Sequence, residues 1–507
     1  MKGKLGHGSG TFWIKTKWNG AKAGKVQPYW RHIPHIVRFL SFFKSTFADK
    51  TALKTLCYRE QNSKEQSAVG YQGEDTIFAL STGVERAAIA VMRVSGKGSA
   101  DLLVKLCGSL PPPRKAVLRR VWRQADVQDT LLDEALVLWF PGPKSYTGED
   151  GFELHLHAGS AIIQAVAHAL VLGGARPAEA GEFTRRAFTN GRMDLVEAEG
   201  IADLVAAETE SQRRQALAQA NGALSRVYEE WSARLKKLLA FQEALIDFPD
   251  EDLPPEVEEE IRSGIRQLMG EMQQHIADGQ RGERIRRGVV FAITGPPNAG
   301  KSSLLNWLAE RDAAIVSPIA GTTRDALEIV GSLAGIKVTF VDTAGLRETE
   351  DEIEAEGVRR ALFHVKQADC VVQMFAASDV PQSVFPGALL VGNKLDLADL
   401  PAEVEGVRVI PVSLKNGQGL EALRHILEDR VQALTASSTG MPLLTRARHS
   451  AGVQDACASL EEALRQEWPE VRGEELRLAM RALGRLTGHV GVEELLDAIF
   501  GQFCIGK

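Results

Sequence analysis

Nine consecutive residues constrain this chain more than anything else in it. Gly295-Pro296-Pro297-Asn298-Ala299-Gly300-Lys301-Ser302-Ser303 follow the apolar run Gly288–Ile293 and precede a helical stretch, Leu304–Leu308. GxxxxGKS between a strand and a helix specifies a local α/β unit. Its glycines let backbone N–H groups converge on phosphate oxygens, and the helix N-terminus adds partial positive charge. In such a loop Lys301 bridges the β- and γ-phosphates and the Ser302 hydroxyl is offered to magnesium, with Asn298, Ala299, Gly300 and Ser303 completing the cradle.

Three later elements choose between nucleotides. The apolar strand Val338–Val341 ends in Asp342-Thr343-Ala344-Gly345, where an acid can hold magnesium through water and a glycine N–H can bond the γ-phosphate. Leu389–Val391 ends in Asn393-Lys394-Leu395-Asp396, and Ser413-Leu414-Lys415 follows a further apolar strand. A carboxylate at Asp396 can take both N1–H and the exocyclic amine of guanine, a donor pair adenine lacks. Four such motifs at strand ends, in this order, define a guanine-nucleotide domain. Gly321-Thr322-Thr323-Arg324-Asp325 reads as the switch, with Thr323 a second hydroxyl ligand of magnesium. Leu346 stands where a water-orienting Gln is expected and cannot polarise water, so the acidic run Glu348–Glu354 is the local source of a carboxylate. Asn298 offers an amide oxygen to a monovalent cation.

Composition excludes several classes. With 507 residues, roughly three domains are expected. The 60 Lys plus Arg against 66 Asp plus Glu give a formal charge of −6, unlike a protein that wraps nucleic acid. No apolar run reaches the roughly 18 residues of a membrane span. Cys57, Cys107, Cys370, Cys457 and Cys504 form no CxxC pair, which fits a reducing compartment and no disulfide scaffold.

Residues 1–72 are basic and acid-poor and read as an appendage: a transit peptide, a disordered tail or a misplaced start. The expected location is cytoplasmic, or the mitochondrial matrix if the appendage is a transit peptide. Short strands and helices then suggest an α+β domain over 73–190: Thr76–Leu80 and Ala87–Val94 about a turn at Gly83, Glu134–Phe140, an alternating strand through Glu153, His155 and His157, and a helix at 161–172. His155 and His157 have metal-like spacing, but nothing nearby completes a zinc site. Over 191–287 the pattern turns helical, with Leu224, Val227, Trp231, Leu235 and Leu238 on one stripe. The α/β segment 288–432 interrupts it, and 433–507 returns to amphipathic helix. The expected fold is therefore multidomain: an α+β N-terminal domain, then an all-α domain split by an inserted α/β P-loop domain.

With these motifs the sequence resembles the MnmE/TrmE family, the tRNA-modification GTPases, from about Asp75 to Lys507. The resemblance rests also on Ser145-Tyr146-Thr147-Gly148-Glu149-Asp150, on Gly181-Glu182-Phe183-Thr184-Arg185-Arg186-Ala187-Phe188 and on the terminal Phe503-Cys504-Ile505-Gly506-Lys507. It implies a dimerising tetrahydrofolate-binding N-terminal domain, with Arg93, Glu149, Arg192 and Lys507 around 5,10-methylene- or 5-formyl-tetrahydrofolate. It implies GTP held by Asn298 to Ser303, by Ser317, Pro318, Ile319, Ala320, Gly321, Thr322 and Thr323, by Asp342, Thr343, Ala344 and Gly345, and by Asn393, Lys394, Asp396, Ser413, Leu414 and Lys415. Magnesium falls to Ser302 and Thr323, potassium to Asn298, Ser317, Ile319 and Thr322, and the attacking water to Glu354, with Lys301 and Thr323 completing the catalytic set. The implied activity is potassium-dependent GTP hydrolysis coupled to adding a carboxymethylaminomethyl group at C5 of the tRNA wobble uridine. It would involve a homodimer, tRNA and an MnmG/GidA-like flavoprotein that carries the FAD, and no membrane.

Arg185-Arg186 and Arg281, Arg284, Arg286 and Arg287 read equally as contacts for tRNA phosphates or as solvated charge. Cys504 reads as a small packing residue between Phe503 and Ile505. The rivals are an Era-like ribosome-assembly GTPase, which needs a KH domain after the nucleotide domain, a dynamin-like GTPase and a folate aminomethyltransferase without GTPase action.

Overall fold

The computed structural model describes residues 75–83, 87–124, 128–247, 255–312, 328–342, 365–436, 442–491 and 493–506. The first sheet contains β1 (Ile77–Leu80), β2 (Ile89–Ser95), β3 (Val117–Arg123), β4 (Thr130–Phe140), β5 (Gly151–His157) and β6 (Arg176–Pro177). Its order is β3-β4-β5-β2-β1-β6, antiparallel except for the β1–β6 pair. The period-2 alternation works as expected. In β2, Ala90, Met92 and Val94 are buried, the last two in the main core beneath α1 (Ser99–Cys107) and α2 (Ser160–Leu172). Arg93 and Ser95 point to the opposite face, where Ile77, Ala79, Ala178 and Phe183 make a second, smaller core with Tyr146 packed on it. Phe183 comes from α3 (Glu182–Thr189).

Helices α4 (Leu195–Ala206), α5 (Glu210–Ala220), α6 (Ala223–Asp247) and α7 (Pro255–Arg287) follow. Asp194 and Thr209 begin α4 and α5 with complete capping boxes, each side chain accepting from the backbone N–H three residues on. The stripe on α6 is buried as its spacing predicts: Leu224, Trp231, Leu235 and Leu238 join Ile261, Ile265, Leu268 and Met272 of α7.

The central sheet comprises β7 (Val289–Thr294), β8 (Glu328–Leu333), β9 (Ile336–Asp342), β10 (Cys370–Ala376), β11 (Leu389–Asn393), β12 (Glu403–Val404) and β13 (Val407–Pro411). Helix α8 (Lys301–Asp312) follows β7, and α9 (Leu420–Thr435) follows β13. The strand order is β12-β13-β11-β10-β7-β9-β8. The inner strands run parallel, while β8 and β12 pair antiparallel at the edges. Thr294 ends level with Gln373, Ile293 with Asp342, and Asn393 with Ala376, so the expected ligand loops leave one edge of the sheet.

The chain then forms α10 (Ala447–Arg465), α11 (Pro469–Thr487) and α12 (Glu493–Phe500). Val453, Ala456, Leu460, Leu476, Ala479 and Leu483 pack into the same core as α6 and α7. One helical core is thus built from segments on both sides of the central sheet. Between 447 and 500 the described residues form these three helices and the short turns between them, with no strand, which leaves little room for the strands of the Era-like rival. Among the described residues no helix is long and apolar enough to cross a membrane.

Candidate functional site

The phosphate loop is shaped by what it must avoid. Gly295, at φ 142°, passes so close to the Met374 carbonyl of β10 that a Cβ there would overlap it. Asn298 is exposed and takes a positive φ of 64°. Lys301 is 7% exposed, and its Nζ donates to the carbonyls of Gly295 at 2.7 Å and Pro296 at 2.9 Å. Burial draws this ammonium below the ordinary lysine range, and Asp342 opposes the shift. Ser302 and Ser303 stand exposed on the first turn of α8. A buried cation and two exposed hydroxyls thus stand at the head of α8, an arrangement that suits a polyphosphate and its counterion.

The base-side loops join directly to it. The Asn393 Nδ2 donates to the Ala299 carbonyl at 2.8 Å, and its Oδ1 accepts from the Leu414 N–H at 3.2 Å. Lys394 adopts φ 66° and turns the chain sharply. Ser413 donates its hydroxyl to Asp396 Oδ1 at 2.7 Å, and the Asp396 carboxylate remains exposed, as does Lys415. An aimed carboxylate beside a rigid loop can take the paired donors of guanine. Ser317, Pro318, Ile319, Ala320, Gly321, Thr322, Thr323, Thr343, Ala344, Gly345 and Glu354 lie outside the described residues, and so does Lys507.

A second constellation occupies the β1–β2 end of the first sheet. Arg93 pairs with Glu153 opposite it in β5 at 2.9 Å and lies over the Tyr146 ring, 5.2 Å from its centroid. Glu149 accepts from Ser95 Oγ at 2.9 Å and from Arg186 Nη1 at 3.2 Å to each carboxylate oxygen. Arg192 is exposed, and its stem packs against Gly148. Arg93, Glu149 and Arg192 thus gather around the loop 145–150. Arg186, 1% exposed, also binds Asp75 and Glu182, and Arg176 binds the same two carboxylates. Burial works against the Glu182 carboxylate, but Arg176, the Glu179 N–H and Arg186 together outweigh it and hold the group below its ordinary range. Residues near 507 reach this domain too: Ile505 bridges to Ala180, and Ser81 Oγ donates to the Gly506 carbonyl at 3.3 Å.

Two family models match the chain: that of the MnmE helical domain over residues 195–504, and that of the GTP-binding protein TrmE N-terminus over residues 76–192. The chain belongs to the MnmE family. The tRNA modification GTPase MnmE of Gluconacetobacter diazotrophicus is 65% identical over 432 residues, covering 85% of this chain and 98% of that protein. The tRNA modification GTPase MnmE of Granulibacter bethesdensis is 52% identical over 444 residues, covering 86% of this chain and 100% of that protein. Among solved structures, the G domain of the T. maritima FeoB iron transporter matches 29% of this chain and 99% of its own at 23% identity, with a TM-score of 0.23.

In this MnmE-family chain several basic residues are already engaged. Arg186 is a buried structural cation, and Arg185 pairs with Asp497 at 3.0 Å. Arg281 pairs with Asp278, Arg284 and Arg287 both bind Asp369, and Arg286 donates to the Thr445 carbonyl. Each arginine of the two clusters thus has a partner within the chain. Cys504 also departs from expectation: it is exposed, while Phe503 and Gly506 are buried. Sequence reasoning missed Ser95 and the burial of Arg186. The i,i+4 spacing of Glu182 and Arg186 was the available signal for the latter, whereas nothing local marked Ser95.

Proposed function

We propose that this chain hydrolyses GTP and couples hydrolysis to modification of tRNA, adding a carboxymethylaminomethyl group at C5 of the wobble uridine together with an MnmG/GidA-like flavoprotein. The observation that carries the reading is the Asn393–Ala299 bond, which joins a guanine-reading loop to a phosphate loop in one rigid mouth. Family membership supports the tRNA half of it.

The chain's own residues divide the work. Lys301 exchanges its two loop carbonyls for the β- and γ-phosphate oxygens, a near-isosteric swap that keeps the ammonium satisfied. Asp396 selects the base while Ser413 holds its carboxylate. Glu354 orients the attacking water, the task Leu346 cannot perform. The donors fit hard cations: Ser302 presents an open hydroxyl at the head of α8, and Asn298 presents an open amide beside it. Ser302 and Thr323 would hold magnesium, and Asn298, Ser317, Ile319 and Thr322 potassium. When bound, these ions offset charge on the phosphoryl oxygens.

Arg93, Glu149, Arg192 and Lys507 would bind the 5,10-methylene- or 5-formyl-tetrahydrofolate, a reading supported by the gathering of the first three at one loop and by the docking of Gly506 against β1. A homodimer would bring two nucleotide domains face to face. The test has two arms. Hydrolysis should rise steeply when sodium is exchanged for potassium, and equal rates would remove the cation from the mechanism. Nucleoside mass spectrometry of tRNA from cells lacking the protein should show loss of the modified wobble uridine; its persistence would refute the RNA half.

A further inference from the structure

The Glu149 carboxylate is held on two sides. Arg186 Nη1 lies 3.2 Å from both of its oxygens and bridges them. That guanidinium cannot drift, because it also donates to the Asp75 carbonyl at 2.8 Å, to Asp75 Oδ1 at 2.8 Å and to Glu182 Oε1 at 3.0 Å. Ser95 Oγ donates to Oε2 at 2.9 Å and lies 2.6 Å from the Thr147 hydroxyl, so its single proton goes to Glu149 while Thr147 donates to it. The Glu149 N–H returns to Thr147 Oγ1 at 3.2 Å, and Asn190 ties down the Thr147 carbonyl at 2.7 Å. The side chain nevertheless keeps 14% exposure, and Oε1, which takes Arg186 but not Ser95, has a lone pair left for one more donor. An oxygen held this way accepts a single N–H along a fixed line, such as the exocyclic amine on the 2-amino-4-oxo edge of a pterin.

We infer that Ser95 and Arg186 are positioning residues that aim Glu149 Oε1 at that amine and so set the site's demand for it. The inference rests on the tetrahydrofolate reading above. A swinging carboxylate would still attract N–H donors, but it would discriminate poorly between that amine and the ring N–H beside it.

The test is calorimetric titration of the full-length protein with 5-formyltetrahydrofolate and with its 2-desamino-2-methyl counterpart. The wild type should prefer the amine by roughly ten- to hundredfold, the range for a hydrogen bond to a charged acceptor. Ser95→Ala and Arg186→Lys should shrink that ratio to about threefold or less, with thermal unfolding confirming that each variant is folded. A purely structural role would lower affinity for both ligands alike and leave the ratio standing. If Arg186→Lys does not fold, Ser95→Ala, which leaves the ion cluster whole, decides alone. A preserved ratio in Ser95→Ala, alongside its loss in Glu149→Gln, overturns the positioning role and keeps the folate reading. A wild type that binds neither ligand overturns both.

Discussion

Asn393 and Ala299, 94 positions apart, share a 2.8 Å hydrogen bond that welds the base-reading loop to the phosphate-reading loop. Nucleotide specificity and nucleotide affinity are therefore mechanically linked, because neither loop can relax without moving the other.

Gly300 sits in the crook of that weld. A Cβ on it would overlap Asn393 Nδ2, and its φ of 105° is closed to side-chain-bearing residues. Gly300→Ala should lower GTP affinity by roughly a hundredfold, since it strains the loop and breaks the weld together. Nucleotide titration would show this, and near-normal affinity would mean the loop can reshape.

Asp396→Asn should transfer preference from guanine to xanthine nucleotides, because an amide offers one donor and one acceptor where the carboxylate offered two acceptors. Competition between GTP and XTP measures the switch. Unchanged GTP affinity would remove Asp396 from the base pocket.

Glu354→Ala should abolish turnover while GTP still binds. Comparing single-turnover hydrolysis with nucleotide titration separates the two, and a variant that hydrolyses at the normal rate would send the search for the water-orienting group elsewhere.

Asp369, 5% exposed, carries the junction between α7 and the central sheet: it binds Arg284 and Arg287 at 2.8 Å each and accepts from the Val290 N–H at 3.0 Å. Asp369→Asn keeps the size but turns an N–H toward a guanidinium. The variant should lose about 1–3 kcal/mol, since Arg284 and Arg287 are only partly buried. Denaturant unfolding of the whole chain reads this directly, and a loss below a few tenths of a kcal/mol would show that the arginines find other partners.

His275 makes the helical core acid-sensitive. It is 1% exposed, edge-on to Trp231 and Tyr228, and burial pushes it down to about 4 despite Asp278. An imidazole kept neutral by folding takes up its proton only when the chain unfolds. Its contribution is complete above an ordinary value of 6.5 and is lost as pH falls toward about 4. Stability should drop by about 2 kcal/mol between pH 7 and pH 5 from this group. His275→Leu should flatten that part of the profile, and an unaltered slope would assign it to another residue such as His449.

What could be read from the sequence was what is written locally. The phosphate loop declares itself because its chemistry needs glycines and a lysine at fixed spacing, and the α6 stripe because burial repeats every helical turn. Tyr228 joined the same core unannounced, since a tyrosine beside Trp231 reads as easily outward. The burial of Arg186 was only half legible: Glu182 stands four positions before it, but its other partners Asp75 and Glu149 lie 111 and 37 positions away. Nor could the exposure of Cys504 be read: neighbours as apolar as Phe503 and Ile505 imply burial, yet after α12 Phe503 turns inward while Ile505 is exposed together with Cys504.

The docking of residues 499–506 has a consequence for how the molecule is made. Ser81 and Gly506, in contact, are 425 positions apart, and Phe188 and Leu195 share a cluster with Ile499, Phe500 and Phe503. A ribosome adding about 5–20 residues per second delivers Gly506 roughly 20 to 85 seconds after Ser81. Through much of that interval α3 and α4 carry an oily seam, so the early life of this domain is one in which a chaperone has time to act.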